Sequence, residues 1–227
     1  MFFRTSGRIL AMAALVCSLP ALGTPAGQEK LPFEDEIKAF EAKDKIKMPK
    51  KGGILFIGSS SIRLWKTLEK DFPGQPVINR GFGGSQISDS IRYIPRIVTP
   101  YKPKMIVFFA GTNDIASKKT AEKVADDFCT FVQTVRAELP EVKVAFLSIT
   151  PAPSRWSMLD EVKKANQLVR NYCFATEGLT YIDAFPYMVD AQGGPRPELF
   201  VSDQLHMNDK GYEIWRKLVR PLMPWKL

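Results

Sequence analysis

Gly53-Ile54-Leu55-Phe56-Ile57-Gly58-Ser59-Ser60-Ser61-Ile62 is the stretch on which the fold turns. Residues 54–57 are uninterrupted apolar side chains between two glycines, the pattern of a strand covered on both faces. A strand with one wet face would alternate apolar and polar positions instead. Four more short runs follow at 77–78, 105–109, 144–147 and 181–182. Helix-period stripes lie between and around them. Phe33, Ile37 and Phe40 mark a leading helix. Val124, Phe128, Phe131, Val132 and Val135 form a second stripe, and Val162, Ala165, Leu168, Val169 and Cys173 a third. Tyr212, Trp215 and Val219 close the chain. Strands alternating with helices predict an α/β fold with a parallel sheet and helices on both faces.

The 227-residue chain, 45% apolar and 25% charged, suits one globular domain rather than a fibrous or disordered chain. Its first stretch differs. Arg4 and Arg8 precede an apolar run, 9–22, with small residues at Ala21 and Gly23 and no acid before them. Residues 1–23 read as a cleaved secretory signal, which predicts a periplasmic or secreted protein. The run is short and broken by Pro20, so no stable membrane insertion is expected after cleavage. Residues 24–52 read as a leading helix and a basic connector carrying Lys43, Lys45, Lys47, Lys50 and Lys51, and residues 53–227 as the working domain. Removing two arginines and no acids lowers the net charge from +8 to +6 (8 − 2). The remaining lysines read as solvated surface, and no nucleic-acid partner is expected. Cys129 and Cys173 remain in the mature chain, and a bridge and two free thiols fit the sequence equally well.

The single histidine, His206, closes Ser202-Asp203-Gln204-Leu205-His206. In a tight turn, positions three apart share a face, so Asp203 can accept from the imidazole and fix its tautomer. Ser60 follows the first strand, where Ser59 or Ser61 can cap the next helix while Ser60 faces the crevice. Asn79-Arg80-Gly81-Phe82-Gly83-Gly84-Ser85 follows the second strand and brings backbone N–H groups close to a ligand. Gly111-Thr112-Asn113-Asp114 follows the third and offers a side-chain amide. Nucleophile, acid–base pair and anion donors thus all follow strands, the end of an open sheet where ligands bind. Asp183, after the fifth strand, is a rival carboxylate set aside for its distance in sequence from His206, and Asp114 reads as a brace for its own loop.

These four blocks, 56–62, 79–84, 111–114 and 203–206, resemble the GDSL-type (SGNH) hydrolases in order and spacing. The resemblance covers about 53–215. It implies a flavodoxin-like three-layer α/β/α sandwich with a five-stranded parallel sheet. It also implies a Ser60 nucleophile, Asp203 and His206 as its partners, and an oxyanion hole formed by the Ser60 and Gly84 N–H groups with the Asn113 amide. Ser59 and Ser85 stand where the family usually has aspartate, which leaves the chemistry intact and loosens any transfer of substrate preference.

Other classes fail on residue types. Glycine is missing from position 86 for a dinucleotide loop. One histidine and two scattered cysteines make no usual zinc set. Ile62 breaks the G-x-S-x-G elbow of the α/β-hydrolases. No cofactor and no metal are implied. The expected activity is hydrolysis of short, acetyl-type esters on a carbohydrate or other small molecule; a lysophospholipase or thioesterase comes second, and an inactive carbohydrate-binding relative third. Arg80, Arg155 and Trp156 are the candidate substrate contacts, since Arg and Trp at a crevice can bind a carboxylate or stack on a sugar.

Overall fold

Period-two alternation along the central strands divides one apolar run between two cores. The computed structural model describes residues 31–223, so the expected export signal at 1–23 lies outside the described residues. The elements, in order, are α1 (Glu34–Ile46), β1 (Ile54–Gly58), α2 (Ser60–Arg63), α3 (Leu68–Asp71), β2 (Val77–Gly81), α4 (Ile87–Arg92), α5 (Ile94–Ile97), β3 (Met105–Phe109), α6 (Thr112–Ala116), α7 (Ala121–Glu138), β4 (Lys143–Leu147), α8 (Leu159–Ala175), β5 (Leu179–Ile182) and α9 (Asp209–Val219). The sheet is parallel throughout, with strand order β2-β1-β3-β4-β5. All five expected strands are present, in the three-layer α/β/α sandwich.

Leu55, Ile57, Ile106, Phe108, Val144 and Phe146 point to one face, where they meet α1, α4, α5, α7 and α8. Ile54, Phe56, Val107, Phe109, Ala145 and Leu147 point to the other, against α2, α3 and α9. All five residues of β1 are buried, as a strand covered on both sides requires. An aromatic cluster fills the second face: Trp65 packs on Phe56, Phe72, Tyr212 and Trp215 with ring centroids 5.4–5.9 Å apart. Each buried aromatic of this kind contributes about 1.5–3 kcal/mol through removal from water.

The leading helix is part of this body. Ile37 is buried in the first core, and Arg96 ties α1 down through Glu34 at 2.8 Å and Glu41 at 2.6 Å. The boundary drawn at residue 53 therefore separates no packed units within 31–223. Lys43 and Lys45 belong to the last turn of α1 rather than to a connector. Cys129 and Cys173 are both free thiols, and burial pushes the Cys173 thiol up to about 12. Among the described residues, no helix is long and apolar enough to cross a membrane.

The order β2-β1-β3 puts the reversal of the sheet at β1 and β3. The loops leaving those two strands diverge, and the crevice between them is where a ligand fits.

Candidate active site

Gly58 ends β1 at φ +139°, and a Cβ on it would lie 1.8 Å from the Phe109 carbonyl oxygen. Only glycine permits this approach, which lets the Ser59 N–H donate to that carbonyl at 3.0 Å. The chain turns there, and Ser60 opens α2. Ser59 occupies the N-cap position but makes no side-chain cap bond, so the expected serine cap is not what fixes this helix. Tyr212 Oη donates to the Ser61 carbonyl at 2.8 Å, and Asn79 Nδ2 to the Ile62 carbonyl at 2.7 Å.

His206 reaches Ser60 from the loop before α9, with its Nε2 2.9 Å from the Ser60 Oγ and its Nδ1 2.6 Å from Asp203 Oδ2. The loop between them is tight because Asp203 Oδ1 accepts the N–H groups of Leu205 (2.8 Å) and His206 (2.9 Å), and Gln204 takes a left-handed conformation, φ +54°. Burial acts to raise the Asp203 pKa, but these N–H bonds and the imidazole outweigh it and hold the carboxyl at about 2. Asp203 is therefore an anion at any ordinary pH, whereas Asp183 is engaged elsewhere, 3.9 Å from Arg170.

Of the expected donors, Ser60 and Asn113 line one cleft, and Gly84 is not part of its wall. Among the described residues, the N–H groups of Ser60 and Gly84 make no hydrogen bond. Gly84 is exposed, at φ +71°. Asn113 lines the cleft with Ser60, and its Nδ2 donates to the Ser85 carbonyl at 3.1 Å, which orients the amide and leaves a second N–H. Asp114 turns away from the cleft. It is buried, accepts the Ile87 N–H at 3.2 Å and pairs with Lys119 at 2.9 Å, bracing the segment after Gly84. Burial raises its pKa, against the pull of Lys119.

The cleft, its solvent-open mouth included, spans about 360 Å³. Phe109, Thr112, Thr150, Ala152, Leu205 and Met207 complete its wall. Arg155 and Trp156 line a neighbouring recess of about 260 Å³ that shares Thr112, Thr150 and Ala152 with it. Arg80 is a correction. Its guanidinium is buried on the α1 side of β2, donating to Asp44 at 2.5 Å, the Tyr101 hydroxyl at 2.8 Å and its neighbour Asn79's carbonyl at 2.8 Å. It braces α1 and does not face the cleft. Asn166 of α8 was not anticipated, yet its amide grips both the N–H (2.8 Å) and the carbonyl (3.1 Å) of Ile149, setting the loop that carries Thr150. Its place in an otherwise apolar helical stripe was the available signal.

Residues 58–214 match the profile of the GDSL-like lipase/acylhydrolase family, more than half of the chain. The chain belongs to this family. This GDSL-like hydrolase is 28% identical to platelet-activating factor acetylhydrolase IB subunit alpha2 of Homo sapiens over 183 residues, which cover 76% of this chain and 75% of that protein. Its fold is similar to that of a GDSL-like lipase from Bacteroides thetaiotaomicron (TM-score 0.69, 20% identity, 82% of this chain and 96% of that one). It is also similar to a carbohydrate esterase family 3 structure from Talaromyces cellulolyticus (TM-score 0.59, 20% identity, 75% and 95%). As a GDSL-like acylhydrolase, the chain is a hydrolase acting on esters.

Proposed function

We propose that this GDSL-like hydrolase is an exported serine esterase that removes a short acyl group, acetyl above all, from a carbohydrate or other small alcohol. The observation that carries the reading is the continuous relay from Asp203 through His206 to Ser60, with contacts of 2.6 and 2.9 Å. In this reading His206 takes the Ser60 proton as the hydroxyl attacks the ester carbonyl. Asp203, already ionised, stabilises the imidazolium that forms. Charge developing on the carbonyl oxygen falls to the N–H groups of Ser60 and Gly84 and to Asn113. The alcohol leaves with the proton from His206, and water repeats the sequence on the acyl-enzyme.

The small cleft favours a short acyl group. The relative of Homo sapiens is an acetylhydrolase by name and the Talaromyces protein a carbohydrate esterase, which supports the same substrate class. Export rests on the basic start and apolar run of 1–23. Comparing p-nitrophenyl acetate with p-nitrophenyl octanoate, on wild type and on Ser60→Ala, tests the proposal. Acetate should be the better substrate and the variant inert. A strong octanoate preference would place the chain in the recess lined by Ile115, Met158 and Leu159 and overturn the short-acyl reading.

A further inference from the structure

Helix α1 lies outside the family match, which begins at residue 58, yet it touches the oxyanion segment at two points. Phe33, at its start, packs edge-on against Phe82, with centroids 5.4 Å apart. Glu36, one turn on, accepts the Gly83 N–H with both carboxylate oxygens, at 3.1 and 3.2 Å. The same carboxylate lies 3.9 Å from the guanidinium of Arg63, the last residue of the helix that Ser60 opens. A Cβ on Gly83 would lie 2.8 Å from that guanidinium, so Arg63 closes over the loop.

Gly83 and Gly84 are consecutive residues without Cβ atoms, and such a pair has wide backbone freedom. Gly84 carries an N–H that must be held in one direction to serve a developing oxyanion, because a donor that must reorient during reaction loses most of its value. The downstream side is fixed: the Ser85 hydroxyl donates to the Phe82 carbonyl at 3.1 Å, and the Ser85 carbonyl accepts from Asn113. Upstream, the side-chain bond that holds Gly83 comes from Glu36. The helix supplying it is itself immobilised by Ile37, by the Arg96 pairs and by the Arg80–Asp44 pair.

We propose that Glu36 is a positioning residue: its carboxylate pins Gly83 and so presents the Gly84 N–H for the oxyanion, making α1 part of the active site. The inference rests on the esterase reading for its consequence, although the pinning can be measured without turnover. Glu36→Met keeps the length of the side chain and removes the acceptor; Glu36→Gln removes the charge and keeps an acceptor oxygen. With p-nitrophenyl acetate, kcat of the Met variant should fall about tenfold, a fraction of the 10²–10³-fold that loss of a whole oxyanion donor costs. KM should stay near the wild-type value. The rate of inactivation by diethyl p-nitrophenyl phosphate, whose phosphoryl oxygen would occupy the same hole, should fall in parallel. The Gln variant should behave as wild type, and amide hydrogen exchange at Gly83 should accelerate in the Met variant alone. A Met variant with wild-type kcat and exchange, or a Gln variant as impaired as the Met variant, would overturn the proposal. A wild-type protein without ester turnover would instead refute the esterase reading, with exchange at Gly83 still reporting the contact.

Discussion

Asp203→Asn is the perturbation whose consequence is best defined by the geometry. The two N–H bonds that shape the 203–206 loop end on Oδ1. An asparagine can keep them with its amide oxygen, so the loop should persist. The other carboxylate oxygen, 2.6 Å from His206 Nδ1, becomes an NH₂ group. It can only donate, so Nδ1 must accept and the ring proton moves to Nε2, facing Ser60 Oγ. The base has then lost the lone pair it needs. In a buried serine-protease triad the same change costs ~10⁴ in kcat. Here the Asp203 side chain is 47% exposed, and water supplies part of the stabilisation that the carboxylate gives the imidazolium. We therefore expect a fall of about 10²–10³, or ~2.7–4.1 kcal/mol of barrier, in kcat on p-nitrophenyl acetate at neutral pH. A variant that folds and turns over within tenfold of wild type would refute the reasoning. The linked stability effect has a definite sign. The folded carboxyl titrates at about 2 rather than at its ordinary 3.8, so its contribution is present above 3.8 and lost as pH falls through about 2. The stability gap between wild type and variant, measured by urea unfolding, should accordingly close across that window.

Gly58→Ala should lower the urea midpoint by the equivalent of about 3 kcal/mol, because a Cβ 1.8 Å from the Phe109 carbonyl forces β1 and β3 apart. Arg80→Met should cost about 3 kcal/mol of stability by leaving Asp44 and the Tyr101 hydroxyl without their cation, while KM stays that of wild type; a raised KM would restore Arg80 to the substrate site. Asn113→Ala should lower kcat by tenfold or more with the fold kept, and a near-normal rate would remove Asn113 from the oxyanion hole.

What the sequence disclosed follows from which signals are local. β1 and β3 were legible because strands covered on both faces cannot hide polar residues. β2 was read only as 77–78, since Asn79 and Arg80 look like loop residues; both continue the strand because their side chains find partners in Ile62, Gly81, Asp44 and Tyr101. Arg80 was misplaced although the means to place it was present: it stands two residues from Ile78 and shares its face, toward α1 and away from Ser60. Short helices such as α3 and α5, at four residues each, carry no periodic signal. The leading helix was legible from Phe33, Ile37 and Phe40, but not its docking, because the partners that Glu34, Glu36, Glu41 and Asp44 find outside the helix lie 27 or more positions downstream. The chemistry-bearing blocks stood out for another reason: the first three adjoin the ends of β1, β2 and β3, which implies a common edge of the sheet, whereas 203–206 lies well past β5, before α9, and was legible only from the spacing of Asp203 to His206.

The central claim is that one hydroxyl among three consecutive serines carries the acyl group. Digesting the protein after reaction with diethyl p-nitrophenyl phosphate, and locating the adduct by mass spectrometry, tests it most directly. The account predicts a single phosphoryl adduct on Ser60, absent from Ser60→Ala and strongly slowed in His206→Ala. An adduct on Ser59 or Ser61, or equal labelling with and without the imidazole, would contradict it.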